Sequence, residues 1–325
     1  MKEIPLSEAV GHILCHDLTQ IIVGVSKDAR FRKGHIVTED DIPVLRSMGK
    51  EHLFVWEKTE SMLHEDEGAE ILAAAAMGAN LEKTAPKEGK IELKALIDGM
   101  LKIDTERLFH INKLGEVMIA TQRNHIPVKK GQAVAGMRVI PLLIAKEKAA
   151  QVTAIADSSN PLIAIIPYQI KTCTILVTGN EILTGIIEDT FAPVVQAKLA
   201  DYGVETLNII KTGDDVQTIT AEIQKAVAAG SEMVLCTGGM SVDPDDKTPA
   251  AIRASGAQIV SYGAPVLPGA MMLLAYLGEV PVCGLPGCVM YAKRTVFDRL
   301  LPRILAREPI TVDDIALLGE GGLCP

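Results

Sequence analysis

Three acids within four positions, Asp243, Asp245 and Asp246, stand in a loop that opens Thr237-Gly238-Gly239-Met240-Ser241 and closes Lys247-Thr248-Pro249. Carboxylates at that density supply hard oxygen ligands of the kind Mg²⁺ takes when it bridges protein and phosphate. The paired glycines let backbone approach a ligand closely and leave N–H groups for an anionic oxygen. Phosphate donors and metal ligands in one loop suggest a site for a phosphorylated small molecule. The run Met233-Val234-Leu235-Cys236 before it reads as a buried strand. Residues 250–254 after it read as a helix stopped at Gly256, with Thr248 as N-cap and Pro249 at the first helical position. An acidic turn that only caps a helix is the competing reading.

The elements that must position this loop alternate in type from Lys171 onward. Thr174-Ile175-Leu176-Val177 is a strand, and Phe191, Val194, Val195 and Leu199 follow helical spacing up to Gly203. Val204 to Ile210 is the next strand, and Ile219, Ile223, Ala226 and Val227 mark a helix ended by Gly230. Strands at Met233 to Cys236, Gln258 to Ser261 and Val280 to Cys283 follow, the last leading into a helix of about 19 residues. Repeated strand–helix units imply an α/β fold, a three-layer, mostly parallel sheet covered on both faces. Ligands of such sheets bind at the carboxyl ends of strands. The unusual loops fall there: Thr178-Gly179-Asn180-Glu181, Thr212-Gly213-Asp214-Asp215, the acidic loop, Leu267-Pro268-Gly269 and Gly284-Leu285-Pro286-Gly287. Each alone is an ordinary turn; all of them on one edge are much harder to dismiss.

Residues 1–168 read as a mixed α+β region, divisible into 1–60 and 61–168. Thr38-Glu39-Asp40-Asp41 is a helix-start signature, Ile42 and Leu45 continue that helix, and Leu53-Phe54-Val55-Trp56 closes as a strand. Residues 64–82 read as a second helix, in which His64-Glu65-Asp66-Glu67 complement the helix dipole better than they suggest a metal. A short helix is expected from Ile91, then strand pieces at Glu116 to Ala120, Ala133 to Gly136 and Val139 to Leu142. Lys129-Lys130-Gly131-Gln132 is a plain turn. No catalytic constellation stands out before about residue 168.

With 325 residues, 48% of them hydrophobic, the chain has the length for two or three domains with real cores. A net charge of −9 and only 3% aromatic residues argue against nucleic-acid backbone binding and base-stacking platforms. The six cysteines form no C-x-x-C pair, so a reduced, cytoplasmic chain is expected and a zinc or disulfide framework is not. The amino terminus lacks an apolar signal core. The uncharged stretch from Ala254 to Gly278 is broken by Gly263, Pro265, Pro268 and Gly269, so it reads as buried sheet plus loop and no membrane span is expected.

Taken in order, Thr178-Gly179-Asn180-Glu181-Ile182-Leu183, Asp189-Thr190, Gly213-Asp214, the loop from Thr237 to Asp246, Pro268-Gly269 and Gly284-Leu285-Pro286-Gly287 resemble a known pattern. It is the molybdopterin-binding domain of molybdenum cofactor biosynthesis proteins. Within that group the motifs are most similar to the molybdopterin molybdenumtransferases, related to the gephyrin E domain. The resemblance covers roughly residues 171–306, and Phe31 to Val55 looks like the amino-terminal region of that transferase. It implies domains at 1–168 and 169–310 with a tail at 311–325. It implies a pterin dithiolene carrying a phosphate or adenylate, and Mg²⁺-assisted entry of molybdate as the adenylate leaves. Asp214 and Asp246 match the acids that hold metal and position the nucleotide, with Asp243 beside them. Thr178, Gly179, Asn180, Glu181, Asp189, Thr190, Gly213, Thr237, Gly238, Gly239, Met240, Ser241, Pro268, Gly269, Gly284, Pro286 and Gly287 match the pterin and phosphate contacts. The resemblance also implies a homo-oligomer, a dimer favoured, and a molybdoenzyme or another cofactor-biosynthesis protein as partner.

The departures are specific. Lysines flank the family's Pro-Gly, whereas this chain has Leu267 and Ala270-Met271. Cys288-Val289 replaces an Asn-Pro, and Asp243 replaces a glycine. The family's amino-terminal Asn-Ser-Ala-Met-Asp-Gly core is absent, and the final small β domain is expected to be missing. Losing cations while gaining an anion weakens oxyanion binding, so pterin binding survives better than molybdate insertion. A non-catalytic carrier of molybdopterin is therefore an alternative. A nucleotide hydrolase is another, because Gly179-Asn180-Glu181, Ile187-Glu188-Asp189-Thr190 and Thr212-Gly213-Asp214 also resemble the competence-damage-inducible family.

Overall fold

Uninterrupted apolar runs ending in glycine loops become strands that bury both faces, which is how parallel sheets read. The computed structural model describes residues 2–22, 26–55, 61–156, 160–240 and 246–323. They fall into two units, one of residues 1–124 and 128–165, the other of residues 125–127 and 166–325.

In the second unit six strands make one sheet. They are β1 (Thr172–Thr178), β2 (Glu205–Thr212), β3 (Val234–Thr237), β4 (Gln258–Tyr262), β5 (Leu273–Leu277) and β6 (Val280–Leu285). Their order is β2-β1-β3-β6-β5-β4. The first four pair in parallel, while β5 runs antiparallel to both β6 and β4. The helices are α1 (Asn180–Leu183), α2 (Phe191–Ala200), α3 (Val216–Ala228), α4 (Thr248–Ala254), α5 (Val296–Leu305) and α6 (Val312–Ala316). Leu176, Val234, Cys236, Val282 and Ala275 pack with Ile219, Ile223, Ala251 and Ile252 of α3 and α4. By the period-2 alternation of strands, Ile175, Val177, Leu235 and Cys283 face the other way, and they too are fully buried. Both faces are covered, as an α/β sheet requires.

Several expectations need correction. The helix of about 19 residues after Gly287 is instead a 3₁₀ turn, Gly287–Met290, followed by the shorter α5. Thr295 starts α5 afresh: Asp298 Oδ2 accepts from Thr295 N at 2.8 Å and from its hydroxyl at 3.0 Å, a capping box that the apolar pattern runs straight through. The uncharged stretch holds an unforeseen strand, β5, which makes this end of the sheet antiparallel. The expected tail packs against its own unit. Leu267 N donates to Gly322 O at 2.8 Å, and Arg299 Nη1 donates to Leu318 O at 3.1 Å. Arg303, on buried α5, pairs with Asp314 of α6 at 3.1 Å.

That last pair gives a pH-dependent prediction. Burial pushes the Asp314 carboxyl up, but hydrogen bonds from Arg303 and from Thr311 outweigh it and hold the carboxyl at about 2. A depressed carboxylate contributes stability above its unfolded value of about 3.9 and loses it as pH falls through the folded one. Asp314→Asn should therefore melt below wild type at neutral pH. The gap should close between roughly pH 4 and pH 2, followed by circular dichroism.

In the first unit Leu81–Lys83, Lys90–Ala95, Ala133–Val139 and Val117–Thr121 form a four-stranded antiparallel sheet in that order. Glu65–Ala76 packs against it as a helix. The helix expected from Ile91 is thus a strand, because Ile91, Leu93 and Ala95 alternate with Lys90, Glu92 and Lys94 and only the first set is buried. The helix expected over 64–82 stops at Ala76. Met77 already adopts extended geometry, and the chain then passes so close to Pro161 that a Cβ on Gly78 would lie 2.4 Å from it. Helices at Thr105–Lys113 and Lys146–Ala156 were not foreseen. At the amino end Lys2–Pro5 pairs with His52–Val55, and Ile4, Leu14, Leu45 and Leu53 share one buried cluster. No helix among the described residues is long and apolar enough to cross a membrane.

Candidate functional site

At the carboxyl ends of β1, β3 and β6 the strand-end loops enclose a cleft of about 950 Å³. Thr178 at the end of β1, Gly179, and Glu181 of α1 line it on one side, and Asp189 and Thr190 from the segment entering α2. Asp214 enters from the loop after β2, and Thr237, Gly238, Gly239, Met240 and Asp246 from the acidic loop. Pro268 and Gly269, then Pro286 and Gly287, line it from further along the chain. Asp214 and Asp246, distant in sequence, thus share one cavity. Ser241 and Asp243 lie outside the described residues. Asn180 and Gly213 line an adjoining hollow of about 540 Å³, which also reaches Asp214. Gly284 lines neither. A Cβ there would sit 2.4 Å from Met240 Sδ, so this glycine makes room for a core side chain.

The loops are fastened to one another by backbone and hydroxyl groups. Asp214 Oδ2 accepts from Asn180 N at 3.0 Å, which ties the loop after β2 to the start of α1. Gly213 can come close because a Cβ would be 2.5 Å from Asn180 Oδ1. Gly238 adopts φ +85°, and a Cβ on it would be 2.3 Å from Thr178 O. Thr248 does not cap α4 as the sequence suggested, since Lys247 holds that position without a side-chain cap bond. The Thr248 hydroxyl is fully buried and donates to Gly238 O at 2.9 Å, within 3.3 Å of Thr178 Oγ1. Tertiary partners have claimed the group that local sequence assigned to the helix end. Thr248→Val, equal in shape, should cost about 1–3 kcal/mol in chemical denaturation, because it strands the Gly238 carbonyl. Asp189 Oδ1 accepts from Phe191 N at 2.9 Å and Ala192 N at 3.1 Å, so this acid anchors the start of α2 while lining the cleft.

The electrostatics are one-sided. Glu181, Glu188, Asp189, Asp214 and Asp246 line the cleft, and no Lys or Arg does among the described residues. Leu267, Ala270 and Met271, which stand where the family pattern has lysines, are themselves in the lining. Burial, reinforced by the charge of Asp246, pushes the Tyr262 phenol up, and Tyr262 donates to Met240 O at 3.3 Å beneath the loop. Sequence reasoning missed most of the apolar wall, including Ile182, Phe191 and Met290. Nothing in their types marks them, because they read as ordinary core residues. The carboxylates offer the hard oxygen donors that suit Mg²⁺, while Cys288 and the thioethers of Met240, Met271 and Met290 add sulfur to the lining.

Residues 174–306 match the family described as "probable molybdopterin binding domain". The match covers most of the second unit. Residues 3–57, part of which the sequence likened to a transferase amino terminus, match a family described as a domain of unknown function. Among curated proteins, a CinA-like protein of Geobacter metallireducens is 37% identical over 87 residues, 26% of this chain and 21% of that protein. A molybdenum cofactor biosynthesis bifunctional protein of Synechococcus elongatus is 33% identical over 84 residues, 26% of each chain. The chain therefore spans only about a fifth to a quarter of the length of these relatives. Of solved structures, the molybdopterin biosynthesis enzyme MoaB of Thermus thermophilus aligns at 20% identity and a TM-score of 0.36, covering 41% of this chain and 91% of that one. A molybdenum cofactor biosynthesis protein of Pyrococcus furiosus aligns at 13% identity and a TM-score of 0.28, covering 94% of this chain and 63% of that one. The matched residues hold every strand-end loop described above.

Proposed function

We propose that the cleft binds molybdopterin or its adenylate, and that the protein is a molybdenumtransferase-like enzyme of molybdenum cofactor biosynthesis. The observation that carries this is the meeting of Asp214, Asp246 and the Gly238-Gly239 turn in one cavity. A phosphorylated ligand entering a cleft whose charged groups, among the described residues, are all carboxylates needs a cation to offset the repulsion. Asp214 and Asp246 would hold Mg²⁺, with Asp243 from the same loop beside them, and the ion would supply charge neutralisation at the phosphoryl bond. The chain's own residues supply position: Asn180 braces Asp214, Thr248 and Thr178 brace the glycine turn, and Pro268 and Pro286 give the pterin rigid apolar walls. Little covalent chemistry is asked of the protein, which suits a cleft with no nucleophile–base pair among its described residues. The homodimer and the molybdoenzyme or biosynthetic partner that the resemblance implies, and a cytoplasmic location, belong to this reading.

The absence of cations from the described lining favours a second reading, a carrier that holds molybdopterin without turnover. Local identity to CinA-like proteins favours a third, metal-dependent hydrolysis of a pyridine-nucleotide compound. One assay separates them. Purified protein with adenylated molybdopterin, Mg²⁺ and molybdate is expected to release AMP. Binding without AMP release supports the carrier, and hydrolysis of ADP-ribose in the same buffer supports the hydrolase.

A further inference from the structure

Acids at a helix start need no burial to complement the dipole, yet one acid of the first unit is buried where its helix begins. The capping at His64 is complete without it. Glu67 Oε2 accepts from His64 N at 2.8 Å, and His64 Nδ1 accepts from Asp66 N at 3.3 Å. Glu65 is only 5% exposed. Its nearest cation is Arg138 Nη2 at 3.7 Å, and its carboxylate makes no hydrogen bond among the described residues. Burial pushes that carboxyl up. A Cβ on Gly89 would lie 2.5 Å from Glu65 Oε2, so the carboxylate is closely seated. A buried charge left this way is costly unless a cation or a proton joins it.

His64 beside it is 2% exposed, and its Nε2 bonds to the carbonyl of Cys15. A carbonyl only accepts, so Nε2 carries the proton, and the Nδ1 lone pair, shared here by Asp66 N and the Lys33 ammonium, is the one a metal would have to take from them. Metal-bound histidines are commonly oriented by such a bond. Nδ1 lies 3.6 Å from Asp66 Oδ2. Tetrahedral Zn²⁺ at about 2.0–2.1 Å from each ligand would hold two such atoms roughly 3.3 Å apart, a few tenths away from this spacing. One ligand atom from each of His64, Glu65 and Asp66 falls within 4.8 Å of the others. The Lys33 ammonium lies in the same space, 2.8 Å from His64 Nδ1 and 2.9 Å from Asp66 Oδ2. The field there already selects a cation. Lys33 is fixed from behind, its backbone N donating to Asp17 Oδ1 at 2.7 Å.

We propose that His64, Glu65 and Asp66 form a Zn²⁺ site with a fourth position open to water, at which the Lys33 ammonium and the metal exchange. The site is built from residues of the first unit alone. Nitrogen and oxygen donors around one open position match zinc coordination.

The test is equilibrium dialysis of the untagged full chain against Zn²⁺, counted by emission spectrometry, with thermal melts in Zn²⁺ and in chelator. One ion per chain should bind beyond whatever His64→Asn retains; Asn still caps the helix. At Zn²⁺ about 100-fold above Kd the melting temperature should rise by roughly 5–10 °C. Glu65→Gln should lose that rise, yet melt above wild type in chelator, because a neutral amide is buried more cheaply. Lys33→Met should tighten binding by roughly tenfold, since a competing cation is gone. Equal zinc content in wild type, His64→Asn and Glu65→Gln would overturn the proposal, as would no zinc in wild type or weaker binding by Lys33→Met.

Discussion

Asp246→Asn is expected to reduce Mg²⁺-dependent AMP release from adenylated molybdopterin by roughly 10²–10³-fold, while the melting temperature stays within about 2 °C. The amide keeps the shape of the side chain and removes the charge. In the proposed site that charge is half of the metal's anchor, and no lysine or arginine stands among the described lining residues to take over phosphate binding. Asp214→Asn should behave alike, and its remaining carbonyl oxygen can still accept from Asn180 N, so the loop brace survives. A carrier without turnover would be indifferent to either change, which makes retained tight binding with unchanged kinetics the contrary outcome. A ligand-free check is at hand in Tyr262. Burial and then the Asp246 charge hold its phenol above the ordinary value, so Asp246→Asn should lower it in an ultraviolet titration.

Gly238→Ala is expected to destabilise the fold by about 2–4 kcal/mol and to abolish ligand binding. At φ +85° the new Cβ would lie 2.3 Å from Thr178 O and 2.8 Å from Thr178 Oγ1. The first of these is backbone at the end of β1, a buried strand paired with a neighbour on each side, and it cannot step aside. The strain spreads to Thr248, whose hydroxyl holds both partners. Gly287→Ala is the matched control. No atom lies within 4 Å of its Cβ position and its φ is not left-handed, so stability should change by no more than about 0.5 kcal/mol. Yet Gly287 lines the cleft, and an added methyl there should weaken the ligand severalfold. Denaturant midpoints and ligand titrations on the two variants separate building the site from filling it. Equal stability of Gly238→Ala and wild type would contradict the close approach of β1 to the glycine turn.

The parallel part of the sheet was legible because each strand is a short apolar run ended by a glycine loop, and those loops carried the site with them. What was not legible depends on partners distant in sequence. Thr248 looks like a helix cap locally, but a buried threonine on β1 and the Gly238 carbonyl compete for its hydroxyl and win. The β5–β6 hairpin turns at Gly278-Glu279, a visible turn signal, but β5 before it lies in an uncharged stretch that reads as sheet and loop without a strand boundary. In the first unit the alternation of Ile91, Leu93 and Ala95 was present as a strand signal, and a helical reading was laid over it. Glu65 looks like its acidic neighbours; only the approach of Gly89 and the sheet shows that it is buried.

The claim at the centre is that carboxylates, a cation and backbone amides hold a phosphorylated pterin at the strand ends of the second unit. Titrating the protein with molybdopterin and following pterin fluorescence, once with Mg²⁺ and once with excess chelator, tests it directly. Saturable one-to-one binding that weakens by at least about tenfold in chelator is the expected result. Binding of equal strength in both buffers, or none in either, would contradict it.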